Sequence, residues 1–181
     1  MGEVTKIEWA TRTWSPWRGC TKVSEGCKNC YADKMSVRNP KTLGVWGPNG
    51  TRIVNANWNT PCLWDKAAED TNERPRIFPS LCDPFEDWIG FMHNHKGEIY
   101  RRADGEPASM QDVRSNLLNL IDNTEFVDWL ILTKRIGNVR RMWEEVAMWD
   151  TRENAWVGER GLMCRKNVWL GTSVEDQENA D

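Results

Sequence analysis

The stretch Phe126-Val-Asp-Trp-Leu-Ile-Leu-Thr133 constrains the fold more than any other part of the chain. It holds a single charge, Asp128, and does not alternate polar with apolar positions. A strand with one wet face would alternate; a parallel strand covered on both sides would not. Parallel neighbours must be reached by crossovers, usually helical, so the segments on either side should alternate between strand and helix.

They do. Arg76 to Ser80 and Asn167 to Thr172 have the length and composition of strands, as does Thr11 to Arg18. Arg52 to Asn55 is a weaker extended piece. A short helix is expected over Tyr31 to Val37, ended by Asn39-Pro40, and another over Pro61 to Glu69 with proline at its first position. Asp83-Pro84 should open a helix carrying Phe85, Trp88, Ile89 and Met92. Ser109 is placed to cap a helix with Val113, Leu117, Leu120 and Ile121 on one face. Gly137-Asn138 leads into a helix with Val139, Met142, Trp143 and Val146 inward. Residues 40–61, rich in glycine and proline, form a long loop of the kind that serves as a lid.

The fold class is therefore α/β: one domain over residues 1–181, with parallel strands and crossover helices forming a sheet or a barrel. A closed eight-stranded barrel takes roughly 250 residues, against 181 here. The last strand is followed by only nine residues (181 − 172), so a C-terminally truncated domain is expected, with an uncovered last strand that invites a partner protein.

Composition narrows the function classes. Lys plus Arg number 24 and Asp plus Glu 27, a net charge of −3, so the chain lacks electrostatic support for nucleic acid as a partner. No apolar run is long enough for a membrane span and no secretory segment opens the chain, so the cytosol is the expected location. The 12 tryptophans are chiefly packing residues, with Trp129, Trp143 and Trp169 at core positions.

Chemistry concentrates in Gly19-Cys20-Thr-Lys-Val-Ser-Glu-Gly26-Cys27-Lys-Asn-Cys30-Tyr31. The spacing C-x6-C-x2-C places three thiols in one loop between a strand and a helix, and Gly19 and Gly26 permit tight turns. Cys30 opens the helix, where the helix field favours an anionic ligand. Lys22 and Lys28 add positive charge. Three thiolates suit a [4Fe–4S] cluster with one open iron. They also suit zinc, given a fourth donor from Cys62, Cys82, Cys164, His93 or His95.

The segments Thr5-Lys-Ile-Glu-Trp9, Thr13-Trp-Ser-Pro16, Gly19 to Ala32, Arg76 to Phe85, Leu130-Ile-Leu-Thr-Lys-Arg135 and Val168 to Asp181 together resemble a phage-associated three-cysteine-motif family that is radical-SAM-like. The Thr133-Lys134 pair is also similar to the spore-photoproduct-lyase-like branch. The resemblance implies a partial TIM-type barrel holding a [4Fe–4S] cluster through Cys20, Cys27 and Cys30, with S-adenosylmethionine on the open iron. It implies that Lys134 contacts the S-adenosylmethionine carboxylate, and that the cofactor is cleaved to act on an unknown substrate. Strand-end residues should line the mouth: Ser80 and Asp83, then Thr133, Lys134 and Arg135, then Thr172, Ser173 and Glu175. Ser80 or Asp83 would reach the ribose and Glu175 the substrate. The chain departs from the common C-x3-C-x2-C spacing and has its aromatic after the last cysteine, at Tyr31.

Other readings stay open. The thiols could hold zinc or a cluster in a binding module without turnover, or the chain could be an inactive truncated remnant. Lys134 and Arg135 could start a solvated helix with Arg140 and Arg141, and Asp83 could be a helix cap. His93 and His95 read as solvated; Cys62, Cys82 and Cys164 read as buried small hydrophobes; Glu144-Glu145 reads as a wet face.

Overall fold

The computed structural model describes residues 5–144, 148–150, 155–157 and 165–173. Its elements in chain order are β1 (Arg12–Thr13), β2 (Trp17–Arg18), a 3-10 turn (Glu25–Asn29), α1 (Tyr31–Arg38), α2 (Pro40–Leu43), β3 (Ile53–Val54) and α3 (Asn59–Thr71). Then come β4 (Arg76–Phe78), α4 (Met110–Asp122), β5 (Asp128–Thr133), α5 (Ile136–Glu144), β6 (Met148–Asp150), β7 (Ala155–Val157) and β8 (Val168–Thr172).

The organising layer is a four-stranded sheet, β1-β4-β5-β8, parallel at every pairing and laid down in chain order without reversal. The apolar stretch forms its best strand: β5 pairs with β8 from Trp129↔Val168 to Thr133↔Thr172. The chain is thus mixed α/β with a parallel sheet, and no closed barrel forms among the described residues.

Helices cover one face. Ile77, Trp129 and Ile131 point into a cluster with Leu117, Leu118 and Ile121 of α4 and Val139, Met142 and Trp143 of α5. α4 forms where the sequence places it, because Ser109 Oγ accepts from the Asp112 N–H at 3.2 Å while the Asp112 carboxylate accepts from the Ser109 N–H at 2.8 Å. This reciprocal capping satisfies two donors the helix start would leave orphaned. Trp129 settles its own polar atom by donating to Thr124 Oγ1 at 2.9 Å.

Several expectations are corrected. The strand over Thr11–Arg18 is two strands in different sheets, broken at Trp14-Ser15-Pro16; β2 pairs antiparallel with β3 instead. There the Ser15 hydroxyl accepts from the Leu81 N–H and the Ser15 carbonyl accepts from Asn55, so the chain is held by tertiary bonds rather than by a ladder. No helix follows Asp83-Pro84. The carbonyls a helix would need are taken: Arg114 donates to those of Pro84 (2.8 Å) and Glu86 (2.7 Å), and Asn138 to that of Phe85 (3.0 Å). Ile89 is accordingly exposed, while Phe85 and Met92 enter two different clusters.

α3 begins at Asn59, with Pro61 third. The 40–61 segment is not bare loop, since it contains α2 and β3. Trp169 is exposed rather than core, and Cys62 is exposed on α3. His93 is half-buried, bridged through its backbone to Ile53 and Ile99, and its Nδ1 lacks a partner among the described residues; His95 is exposed. Glu145, Val146, Cys164 and Glu175 lie outside the described residues.

Candidate cluster and cofactor site

Loops at the carboxyl ends of the parallel strands enclose a cavity of about 700 Å³. Cys20, Cys27, Cys30, Ser80, Asp83, Lys134 and Ser173 all line it, brought from four separate stretches of chain. The carboxyl ends of parallel strands are where α/β folds concentrate their sites.

Each thiol reaches the cavity by a different local device. Cys20 follows β2 through Gly19, whose φ of +120° lies where side chains are disfavoured. A Cβ there would come within 2.6 Å of the Thr51 carbonyl oxygen and 2.8 Å of Arg52 Cδ. Gly26 has no such role; it sits inside the 3-10 turn beside Cys27. Cys30 caps α1 at its N-terminus, as the sequence suggests.

The thiols differ electrostatically. Burial, with Glu86 and Asp83 adding to it against the opposing pull of Arg135, pushes the Cys20 thiol up to about 12. Burial also raises Cys27, but hydrogen bonds from the backbone at Val23 and Ser24, the Ser24 hydroxyl and the nearby Lys134 outweigh it, and the net shift is downward. Cys82, a further cavity residue, is held well above the ordinary thiol range by burial and by Asp83 and Cys20.

Behind Cys20 stands a buried charge network. Arg52 and Glu86 meet side-on through two bonds of 2.8 Å, with side chains 0% and 2% exposed. Glu86 Oε1 also accepts from the Thr21 N–H at 2.7 Å, and Arg52 donates to Thr21 Oγ1 at 2.8 Å. Arg135 donates to Asp83 (2.8 Å), to the Thr21 carbonyl (2.6 Å) and to Cys20 Sγ (3.6 Å). Asp83 accepts further from the Thr133 hydroxyl at 2.7 Å, the Lys134 N–H at 3.2 Å and the Phe85 N–H at 3.0 Å. Asp83 therefore clamps the β4 loop to the end of β5. It is neither the cap of a following helix nor an unengaged carboxylate facing the cavity.

Sequence reasoning brought Ser80, Lys134 and Ser173 to the cavity and missed Arg52 and Glu86. Arg52 stands beside Ile53-Val54, the extended apolar piece, which is the one signal that it would be drawn inside. Glu86 carried no signal, because the helical spacing of Phe85, Trp88, Ile89 and Met92 sets it off the apolar face.

A family model described as a protein of unknown function, DUF5131, matches residues 4–181. The chain belongs to that family. No curated protein and no solved structure matches it. The family match covers the cysteine loop, the Asp83 clamp and the Thr133-Lys134 strand end together.

The donor set can be compared with the two metal centres the sequence suggests. Among the described residues, no three His, Cys, Asp or Glu side chains come close enough together to hold one metal ion. A cluster asks for a different arrangement, since each thiolate binds a different iron and the sulfurs stand further apart. Three thiols on one cavity match the number of protein ligands a [4Fe–4S] cluster with one open iron would need, and Cys82 adds a fourth sulfur to the same lining. No helix of the described residues is long and apolar enough to cross a membrane.

Proposed function

We propose that this DUF5131 chain is a radical-SAM-like protein of the phage-associated three-cysteine-motif type, built as a partial TIM-type barrel. In this reading Cys20, Cys27 and Cys30 hold a [4Fe–4S] cluster, and S-adenosylmethionine occupies the rest of the cavity. One observation carries the reading: the three thiols, Lys134 and Ser173 line a single cavity at the carboxyl ends of parallel strands. When bound, the pair would supply one-electron reductive cleavage of a sulfonium, chemistry that belongs to the cofactors.

The chain's own residues place these groups. Lys134, at the end of β5, brings an ammonium to the cavity wall beside Cys27 and suits a ligand carboxylate. Ser80 and Ser173 offer hydroxyls on the same wall. Trp46, Pro48 and Phe78 add apolar surface to the cavity lining. Asp83 serves by holding Thr133, Lys134 and Arg135 in place.

Anaerobic reconstitution followed by iron and sulfide analysis tests this. About four irons and four sulfides per chain are expected, with a paramagnetic signal after reduction that Cys27→Ala loses. Reduced protein should convert added S-adenosylmethionine to methionine. A colourless protein with negligible iron after reconstitution would overturn the reading.

A further inference from the structure

We infer that Arg135 is a positioning residue for Cys20, and that Arg135 and Asp83 together set how readily a cluster on that sulfur accepts an electron; this rests on the reading above. Arg135 is the only side chain with a hydrogen bond to a candidate ligand sulfur from a permanent cation among the bonds described, Nη1 to Cys20 Sγ at 3.6 Å. The same guanidinium spans Asp83 Oδ2 at 2.8 Å and the Thr21 carbonyl at 2.6 Å, and approaches Glu86 Oε1 at 3.7 Å. Its side chain is 10% exposed. A planar fork holds its donors in fixed directions toward these acceptors, whereas the donors of an ammonium on a flexible stem rotate.

The surroundings make this more than a structural tie. Arg135 and Arg52 face Asp83 and Glu86, two cations against two carboxylates, in a region where Arg52 and Glu86 are fully buried. Asp83 is pinned from three sides, by the Thr133 hydroxyl and the N–H groups of Phe85 and Lys134, so it fixes the angle at which Arg135 meets the sulfur. A cationic donor on a ligand sulfur stabilises the more negative, reduced state, and hydrogen bonds to the sulfurs are among the determinants of cluster potential. Arg135 therefore pulls the electron in. Asp83, as its counter-ion, moderates that pull. The two residues should act with opposite sign.

The test uses the full chain as wild type, Arg135→Gln, Asp83→Asn and the double variant, each reconstituted anaerobically and titrated potentiometrically with paramagnetic resonance as readout. Arg135→Gln should shift the reduced-to-oxidised ratio at fixed potential roughly tenfold toward oxidised, ~59 mV lower for a one-electron couple. Asp83→Asn should move it the other way, and the double variant should return near wild type. The double variant also removes both charges together, so it keeps the comparison alive if Arg135→Gln alone does not fold. A purely structural role would lower iron content in both single variants while leaving the potential of what remains unchanged, and that outcome overturns the inference. Iron uptake by wild type with coincident potentials in all four proteins also overturns it and leaves the cluster reading standing. No iron in wild type removes both.

Discussion

The cavity has two walls that reach the same space by different means. The strand-end wall, carrying Cys20, Asp83 and Arg135, is held by buried, multiply bonded charges: Arg52 with Glu86, Arg135 with Asp83, Thr21 between them. The opposite wall, from Ser24 through Asp33, carries Cys27 and Cys30 on a single 3-10 turn and the start of α1. Its ion pairs, Lys22–Asp33 and Lys28–Glu25, lie in water. Between the walls run few ties, among them the Tyr31 hydroxyl donating to the Ser80 carbonyl at 3.2 Å. The difference is one of bonding: buried charge pairs set the first wall, while local backbone bonds and more exposed pairs hold the second.

The largest effect should come from breaking the set wall. Arg52→Met leaves the buried Glu86 carboxylate with only the Thr21 N–H and the more distant Arg135 guanidinium at 3.7 Å, and should cost about 3 kcal/mol in chemical denaturation. Replacing both partners, Arg52→Met with Glu86→Leu, should recover most of that loss, because a buried pair and an apolar pair of similar volume are close in stability. If the double variant is as unstable as the single, the network's bonds to Thr21 matter more than its charge.

Gly19→Ala comes next. The backbone there holds a φ of +120°, and the added methyl would press on the Thr51 carbonyl, a backbone atom that cannot swing away. Strain of this kind costs roughly 1–3 kcal/mol. Gly47→Ala is the natural control: its φ is +108° but nothing lies within 4 Å of the new methyl, so it should lose less. Equal losses would mean that conformation alone, without the close approach to Thr51 and Arg52, sets the cost at Gly19.

The two walls were not equally legible in the sequence. The cysteine spacing announced the loop wall, and local signals placed it correctly: a turn, then a helix opening at Cys30. The parallel sheet was equally plain from the apolar run of β5, although burial alternates along that strand and only one of its faces is packed under helices. The strand-end wall was half hidden. Its thiol and its strand-end residues could be read, but the Arg52–Glu86 pair joins positions 34 residues apart, and nothing local in either marks a partner. The helix expected after Pro84 failed for the same reason. Phe85, Trp88, Ile89 and Met92 have helical spacing, yet Arg114 and Asn138 arrive from other elements to take the carbonyls a helix would use. Local pattern lost to tertiary hydrogen bonding at the site where buried charges gather.

Tyr31→Phe probes the seam between the walls. It removes one partly exposed hydrogen bond, so stability should fall by no more than about 0.5–1.5 kcal/mol. Iron content after reconstitution should be retained, since the ring that flanks the cavity is kept. A large loss of iron with little loss of stability would show that the seam, rather than the thiols alone, holds the loop wall in register.

The smallest effect is expected at Lys22→Ala. Its ammonium meets Asp33 at 2.8 Å, but the side chain is 54% exposed, and water and salt weaken such a pair. The denaturation midpoint should not move measurably, and it should respond to added salt as the wild type does. The variant nevertheless changes the charge on the cavity rim, beside Cys27 and Cys30. Any effect should therefore surface in ligand uptake and not in folding. A midpoint that falls as far as that of Gly19→Ala would mean the loop wall is as firmly set as the strand ends, and the contrast between them would go.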